Sequence, residues 1–438
     1  MRGLSLLGLF LWGLGLAQAS ILYLPLDDRP PNWGPCAWER VACPPREVYR
    51  GPEGADLAAL RAWLLASPGE KLVASLDALA YGGLLQSRHL VLPAEDALAW
   101  LAPLLAWRVR YGGELLLFGV VPRWDATQRQ RNLAVLEALA SWPGLPGVYL
   151  EAVWDDALRN SPAPREARAL PYPSRPGADE AGQVLLLRAL RPGLKVAVVY
   201  EDEALAERVT PYEGIPLRDT VMGLLQSALA QRVSLEEGPD LVLYVYGGRN
   251  PRKATHDLLR LMPRFPVALA DLSRVNRGDP GLMAYLVGLG LYPRLASYAS
   301  WGTPANNLGS ALAQGGLFLK DPEGRLRRLA EAYFAYWWGE VGRPWVRARF
   351  PEPLPVEAQE VAALWPYLEL EGYRVDLEDL RFPWERSFEA EARLGLIPFL
   401  VVFFVHDRGR PPDPERAVAE GQEGQGPDRE APLSGRLP

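Results

Sequence analysis

The stretch Ile21-Leu-Tyr-Leu-Pro-Leu-Asp-Asp-Arg-Pro-Pro-Asn32 decides the fold. Its four leading apolar residues read as a strand buried on both faces, because a strand with one wet face alternates apolar and polar side chains. The polar run Asp27-Asp28-Arg29 before Pro30-Pro31 reads as a turn at the carboxyl end of that strand. Proline pushes the residue before it out of helical geometry, which favours such a break. On a regular strand Asp27 and Asp28 would face opposite ways, so one pocket takes both only if the strand has already ended.

The same pattern repeats along the chain. Further strands are expected at 71–76, 114–121, 148–153, 195–200, 241–246, 267–270 and 295–299, with an extra short one conceivable at 46–49. Between them lie helical patterns at 94–109, 127–140, 180–190, 217–231, 252–261 and 281–288. Alternation of this kind implies βαβ units and a parallel sheet covered by helices. Eight such units suit a (β/α)8-type barrel, and a doubly wound open parallel sheet is the alternative. The α/β domain is expected over 20–407, with 320–407 as a helical C-terminal part. From 408 to 438 the chain turns Gly-, Pro- and Glu-rich and is expected to be a disordered tail. No internal sequence repeat is evident.

At 438 residues, 49% apolar and 23% charged, the chain has globular composition and enough length for a large core. A net charge of -6 gives no basic field for nucleic acid. Residues 1–19 have a positive start at Arg2, an apolar run over 4–16 and the small-x-small pattern Ala17-Gln18-Ala19. They read as a secretory signal cleaved after Ala19, giving a secreted or periplasmic protein without a stable membrane span; an uncleaved N-terminal anchor is the alternative. Cys36 and Cys43 fit a small disulfide loop or two buried thiols equally well. Two thiols and three histidines do not populate a usual zinc site, and no metal or other cofactor is expected.

In either parallel architecture the carboxyl ends of the strands share a rim where ligands bind. Nearly every expected strand delivers chemistry there. Asp27, Asp28, Arg29 and Asn32 follow the first; Asp77, Tyr81 and Arg88 the second; Arg123 the third; and Asp155-Asp156 the fourth. Glu201-Asp202 come next, then Arg249, then Asp271 with Asn276, and finally Trp301 with Asn306 and Asn307. The Tyr-Gly-Gly segments at 81–83 and 246–248 suit either a close backbone approach to ligand or a tight turn that needs glycine.

No phosphate loop, no G-x-G-x-x-G and no G-x-S-x-G is present, and the histidines lie away from the strand ends. Acids, amides and aromatic rings suit a glycan or another small-molecule substrate, and paired carboxylates suit glycoside hydrolysis. Asp155 and Asp156 are the first catalytic candidates, with Asp28 and Asp77 next. A metal-assisted hydrolase on the same carboxylates and a non-catalytic glycan-binding protein are the alternatives.

The opening stretch, Ala74–Gly83, Gly177–Glu180, Pro211–Gly214, Ser297–Thr303, Asn306–Gly309 and Phe382–Arg386 together resemble a bacterial family known as domain of unknown function 4127. The resemblance spans about 21–400 and implies the extent of the domain, with no activity attached. Where that family reads closer to Gly-Trp-Asn-Thr, this chain has Ser300-Trp301-Gly302-Thr303 and so lacks an amide. Separately, Trp154-Asp155-Asp156-Ala157 resembles the acid pair of hexosaminidases that use the substrate's acetamido group. That likeness implies one acid orienting the acetamido nitrogen and the other protonating the leaving oxygen.

Overall fold

A computed structural model describes residues 21–123, 126–155 and 157–398. The expected leader at 1–19, Asp156 and the tail at 408–438 lie outside the described residues. The strands do not close into a barrel. They form two open, all-parallel sheets.

The first sheet contains β1 (Ile21–Leu24), β2 (Val41–Ala42), β3 (Lys71–Ser75), β4 (Glu114–Val121), β5 (Val148–Trp154) and β6 (Ser174–Pro176) in the order β2-β1-β3-β4-β5-β6. The second contains β7 (Lys195–Tyr200), β8 (Gln231–Arg232), β9 (Leu241–Tyr246), β10 (Val267–Asp271) and β11 (Ser297–Ala299) in the order β8-β7-β9-β10-β11. Each sheet places its second strand on one side of its first and steps outward on the other. This is the flavodoxin-like doubly wound order, repeated. The halves therefore share a topology that no sequence repeat announces. Closure fails because each sheet ends in stubs of two or three residues, too short to pair edge to edge. The segment at 46–49 is a 3-10 turn, Arg46–Val48, and the extra strand lies earlier, at β2.

Alternation along the strands feeds two faces at once. Leu22 and Leu24 pack on one side of the first sheet, Ile21 and Tyr23 on the other. Leu241, Leu243 and Val245 face one side of the second sheet, Val242, Tyr244 and Tyr246 the opposite one. Between the sheets lies a helical layer that includes Ala181–Leu190 and Pro304–Leu317. Ala181–Leu190 sends Ala181, Leu185, Leu186 and Ala189 to the first sheet and Val184 and Leu187 to the core of the second. A helix apolar all round is one buried all round. Its Gly182 runs so close to β1 that a Cβ there would lie 2.2 Å from the Tyr23 hydroxyl.

Arg175 on β6 reaches Glu151, Glu180 and the Ser227 hydroxyl, all fully buried, and so ties the first sheet to the helix Leu217–Ser227 of the second half. The C-terminal part is not wholly helical, as expected, but mixed. After the helix Pro322–Trp337 and the short helix Arg343–Arg347 comes a small sheet of β12 (Glu369–Leu370), β13 (Tyr373–Arg381) and β14 (Glu391–Pro398). The alternation of Tyr373, Val375 and Leu377 with Arg374, Asp376 and Glu378 carries the strand period in plain view.

Candidate functional site

Two open sheets give two sets of strand ends instead of one rim. The ends of the first sheet, joined by those of β10 and β11 and by the C-terminal part, enclose a cleft of about 1100 Å³. Its position is the one physics favours: the crevice beside the first strand, where the strand order reverses.

The opening stretch forms the floor of the cleft. Arg29 is extended (φ -66°, ψ 149°), as its following proline demands, and Pro30 and Pro31 open the short helix Pro30–Trp33. That turn carries Asn32 back onto the Asp27 carboxylate at 2.8 Å. Arg29 bonds Asp27 through Nε at 2.9 Å and Nη2 at 2.8 Å, and reaches Asp179 at 2.6 Å. Burial pushes the Asp27 carboxyl up while Arg29 pulls against it. Asp28 turns the other way and accepts the Trp384 indole N–H at 2.9 Å, so the two adjacent acids serve different partners.

A second wall is built around Asp155, immediately after β5. Arg88 grips one of its oxygens through Nε (2.9 Å) and Nη2 (2.5 Å), and Arg123 stands 3.6 Å away. Across the cleft lie Asn276, Trp301 and Asn306 from the second half. Asn306 accepts the Ala178 N–H at 3.4 Å and joins the halves there. A side chain at Gly302 would meet Asn306 Cβ at 2.8 Å, so this chain fills with Asn306 the space that an amide at 302 would need. The last wall holds Trp384, Arg386, Phe388, Glu389 and Arg343. Burial pushes the Glu389 carboxyl above its ordinary value although Arg386 bonds it.

Of the residues singled out from sequence, Arg29, Arg88, Arg123, Asp155, Asn276, Trp301 and Asn306 line this cleft. Asp27 lies behind Arg29 and holds it, and Asn32 donates its amide to Asp27. The others are placed elsewhere. Asp77 is buried beneath the strand ends, accepting the Val120 N–H at 2.7 Å and the Asn132 amide, and burial raises its pKa to about 7. Tyr81 is buried under the Arg131 guanidinium, 4.1 Å from its ring centroid. Gly82 and Gly248 take left-handed φ values of +99° and +82°, so the Tyr-Gly-Gly segments are turns. Asp271 is fully buried and accepts the Ser273 and Asp279 N–H groups and the Tyr298 hydroxyl. Asn307 donates to the Asp271 carbonyl. Arg249 lies in the second half, paired with Asp202 on the surface. Asp156 lies outside the described residues, so only Asp155 of the hexosaminidase-like pair has a described position. Among the described residues no three of His, Cys, Asp or Glu gather as a set able to hold a metal ion.

Sequence reasoning missed Glu389 and Arg343, and left Asp179 open between a residue of the rim and an ordinary helix-start acid. Glu389 lies three residues after the Phe382–Arg386 stretch, whose presence among the resembling motifs was the available signal. Those motifs meet in space: Trp384 closes on Asp28, Asp179 on Arg29, Asn306 on Ala178, and Glu213 accepts the Ala305 N–H.

The profile of the family described as "Protein of unknown function (DUF4127)" matches residues 21–137 and 155–353. The chain belongs to that family. The match takes in the floor of the DUF4127 cleft and the walls from Arg88, Asp155, Trp301 and Arg343, while Trp384 and Glu389 lie beyond it. No curated protein and no solved structure matches the chain. Cys36 and Cys43 form a disulfide, with sulfurs 2.07 Å apart, at the edge of the cleft. No helix among the described residues is long and apolar enough to cross a membrane.

Proposed function

We propose that the cleft binds a carbohydrate and that the protein hydrolyses glycosidic bonds of an extracellular or cell-envelope glycan. The observation that carries this reading is the lining. Rings of Trp33, Trp301, Trp384 and Phe388 stand among carboxylates and guanidinium groups in a hollow large enough for a sugar unit or more. Aromatic faces cover the apolar faces of sugars, and charged side chains take the hydroxyls.

Glycoside cleavage needs one carboxyl that keeps its proton and one carboxylate opposite it. Glu389, pushed up by burial although Arg386 bonds both its oxygens, is the candidate acid in this reading, and Asp179 is the candidate partner. Asp155, gripped by Arg88 with Arg123 3.6 Å away, positions substrate in this reading. The disulfide supports an oxidising compartment, and with the leader-like residues 1–19 it supports export. A non-catalytic glycan-binding role is the second reading, favoured by one fact: Asp27, Asp155, Asp179 and Glu389 are all already engaged by arginines.

The test combines tryptophan fluorescence with aryl-glycoside and envelope-glycan turnover. Saturable quenching by a sugar, weakened in Trp301→Ala, is the expected binding result. Glu389→Gln is expected to cut turnover by about 100-fold or more while binding persists. Binding without turnover in the unaltered protein leaves the second reading, and absence of binding by any sugar ends both.

A further inference from the structure

The arginines of the cleft fall into two kinds. Arg29, Arg46, Arg88, Arg328 and Arg386 each lie within 2.6 Å of a carboxylate oxygen, and Arg123 lies 3.6 Å from Asp155. Arg343 and Arg347, one turn apart on the helix Arg343–Arg347, have no ion pair among the described residues. Both line the cleft. Arg343 is half-buried, its Nε is sealed from solvent, and that N–H has no acceptor. Its guanidinium lies 4.9 Å from the Phe388 ring centroid and 5.7 Å from that of Trp301. A ring face attracts the cation but offers no lone pair to an in-plane N–H.

The nearby acids do not fill the gap. Glu352 accepts the Ser387 N–H at 2.9 Å and its hydroxyl at 2.6 Å, and Glu389 is held by Arg386. Burial and the like charge of Arg347 both pull the Arg343 pKa down. Two cations four residues apart repel, and a buried guanidinium edge without an acceptor is costly. An oxyanion in the cleft relieves both, because its oxygens match the guanidinium fork.

We propose that the Arg343–Arg347 end of the cleft is a subsite for an oxyanionic group, a carboxylate or a phosphate, on the ligand. Resting on the carbohydrate reading above, this makes the ligand an acidic sugar. Trp301 and Phe388 fix the guanidinium of Arg343 at one end of the pocket, and Arg347 supplies a second, solvent-facing charge.

Glucose, glucuronate, glucose 6-phosphate and inorganic phosphate, each titrated into the full-length protein by calorimetry, test it. At least one acidic sugar is expected to bind about tenfold or more tightly than glucose, the value of one charge-assisted hydrogen bond. Comparison of glucuronate with glucose 6-phosphate tells carboxylate from phosphate. Arg343→Gln and Arg347→Gln are each expected to weaken the acidic sugar far more than glucose and so remove most of that advantage. Arg347 is exposed, so its variant keeps the fold even if Arg343→Gln does not. Equal affinity for acidic and neutral sugars, or an advantage that survives in both variants, overturns the subsite and spares the carbohydrate reading. Phosphate binding that needs Arg343 or Arg347, with no sugar bound, upholds the subsite and overturns the carbohydrate reading. No binding of any of the four at millimolar concentration overturns both.

Discussion

The two halves of the chain have the same strand order and treat its reversal point in opposite ways. In the first half, the acid after the first strand, Asp27, is met by a guanidinium, and Arg29 stands between that acid and an open cleft. In the second half, the acid after the first strand is Glu201, buried to 2% exposure. It folds onto the loop after β9 and accepts the N–H groups of Gly247 at 2.9 Å, Arg249 at 3.3 Å and Asn250. These amides precede the helix Pro251–Leu261, where backbone donors gather and a negative charge is favoured. The second half thus supplies its own anion to its own cradle. One topology leaves a guanidinium facing the cleft when the first-strand acid is countered by a side chain, and ties that acid into its own loop when it is taken by the backbone.

Three measurements break or sharpen that contrast. Arg29→Leu should have the largest effect, because it leaves Asp27 and Asp179 facing each other with no cation. The expected cost is about 3–5 kcal/mol in urea unfolding, as for breaking a buried ion pair. A loss below about 1 kcal/mol would show that Arg29 does not organise the cleft floor. Glu201→Ala comes next. It orphans backbone donors and should cost about 1–3 kcal/mol while leaving ligand affinity in the cleft untouched. A change in that affinity would mean the two reversal points are coupled.

The third concerns Asp77, which sits below the first reversal point with a pKa raised to about 7. A carboxyl raised in the folded state binds more protons there than in the unfolded chain. Its contribution is therefore complete below the ordinary carboxyl range and is lost as pH climbs toward and through about 7. Stability should fall by up to about 1.4 kcal/mol per pH unit across that window. Asp77→Asn should flatten the slope in thermal melts taken from pH 4 to pH 8; an unchanged slope would place the titration elsewhere.

Much of the scaffold was legible because its strands are buried on both faces and its helices carry a clear period. The runs at 114–121, 195–200 and 241–246 emerge as β4, β7 and β9 with the expected bounds. The edge stubs β2 and β8 are two residues each, below any periodicity, and without them the sheets could not be seen to stay open. The site was half legible. Arg29, Arg88 and Asp155 line the cleft as expected because it opens at the strand ends. Asp77 and Asp271 obey the same sequence rule yet spend their carboxylates on backbone donors, a choice made by packing and invisible in a residue string. Glu389 and Arg343 come from the C-terminal part, which strand-end reasoning does not reach.

The middle helix Ala181–Leu190 has a mechanical consequence. Two-lobed binders commonly open and shut about a thin hinge, but here parting the lobes would strip apolar side chains on one face of this segment or the other. Each such chain bared to water costs about 1.5–3 kcal/mol. Parting the lobes is therefore opposed along the whole length of this helix.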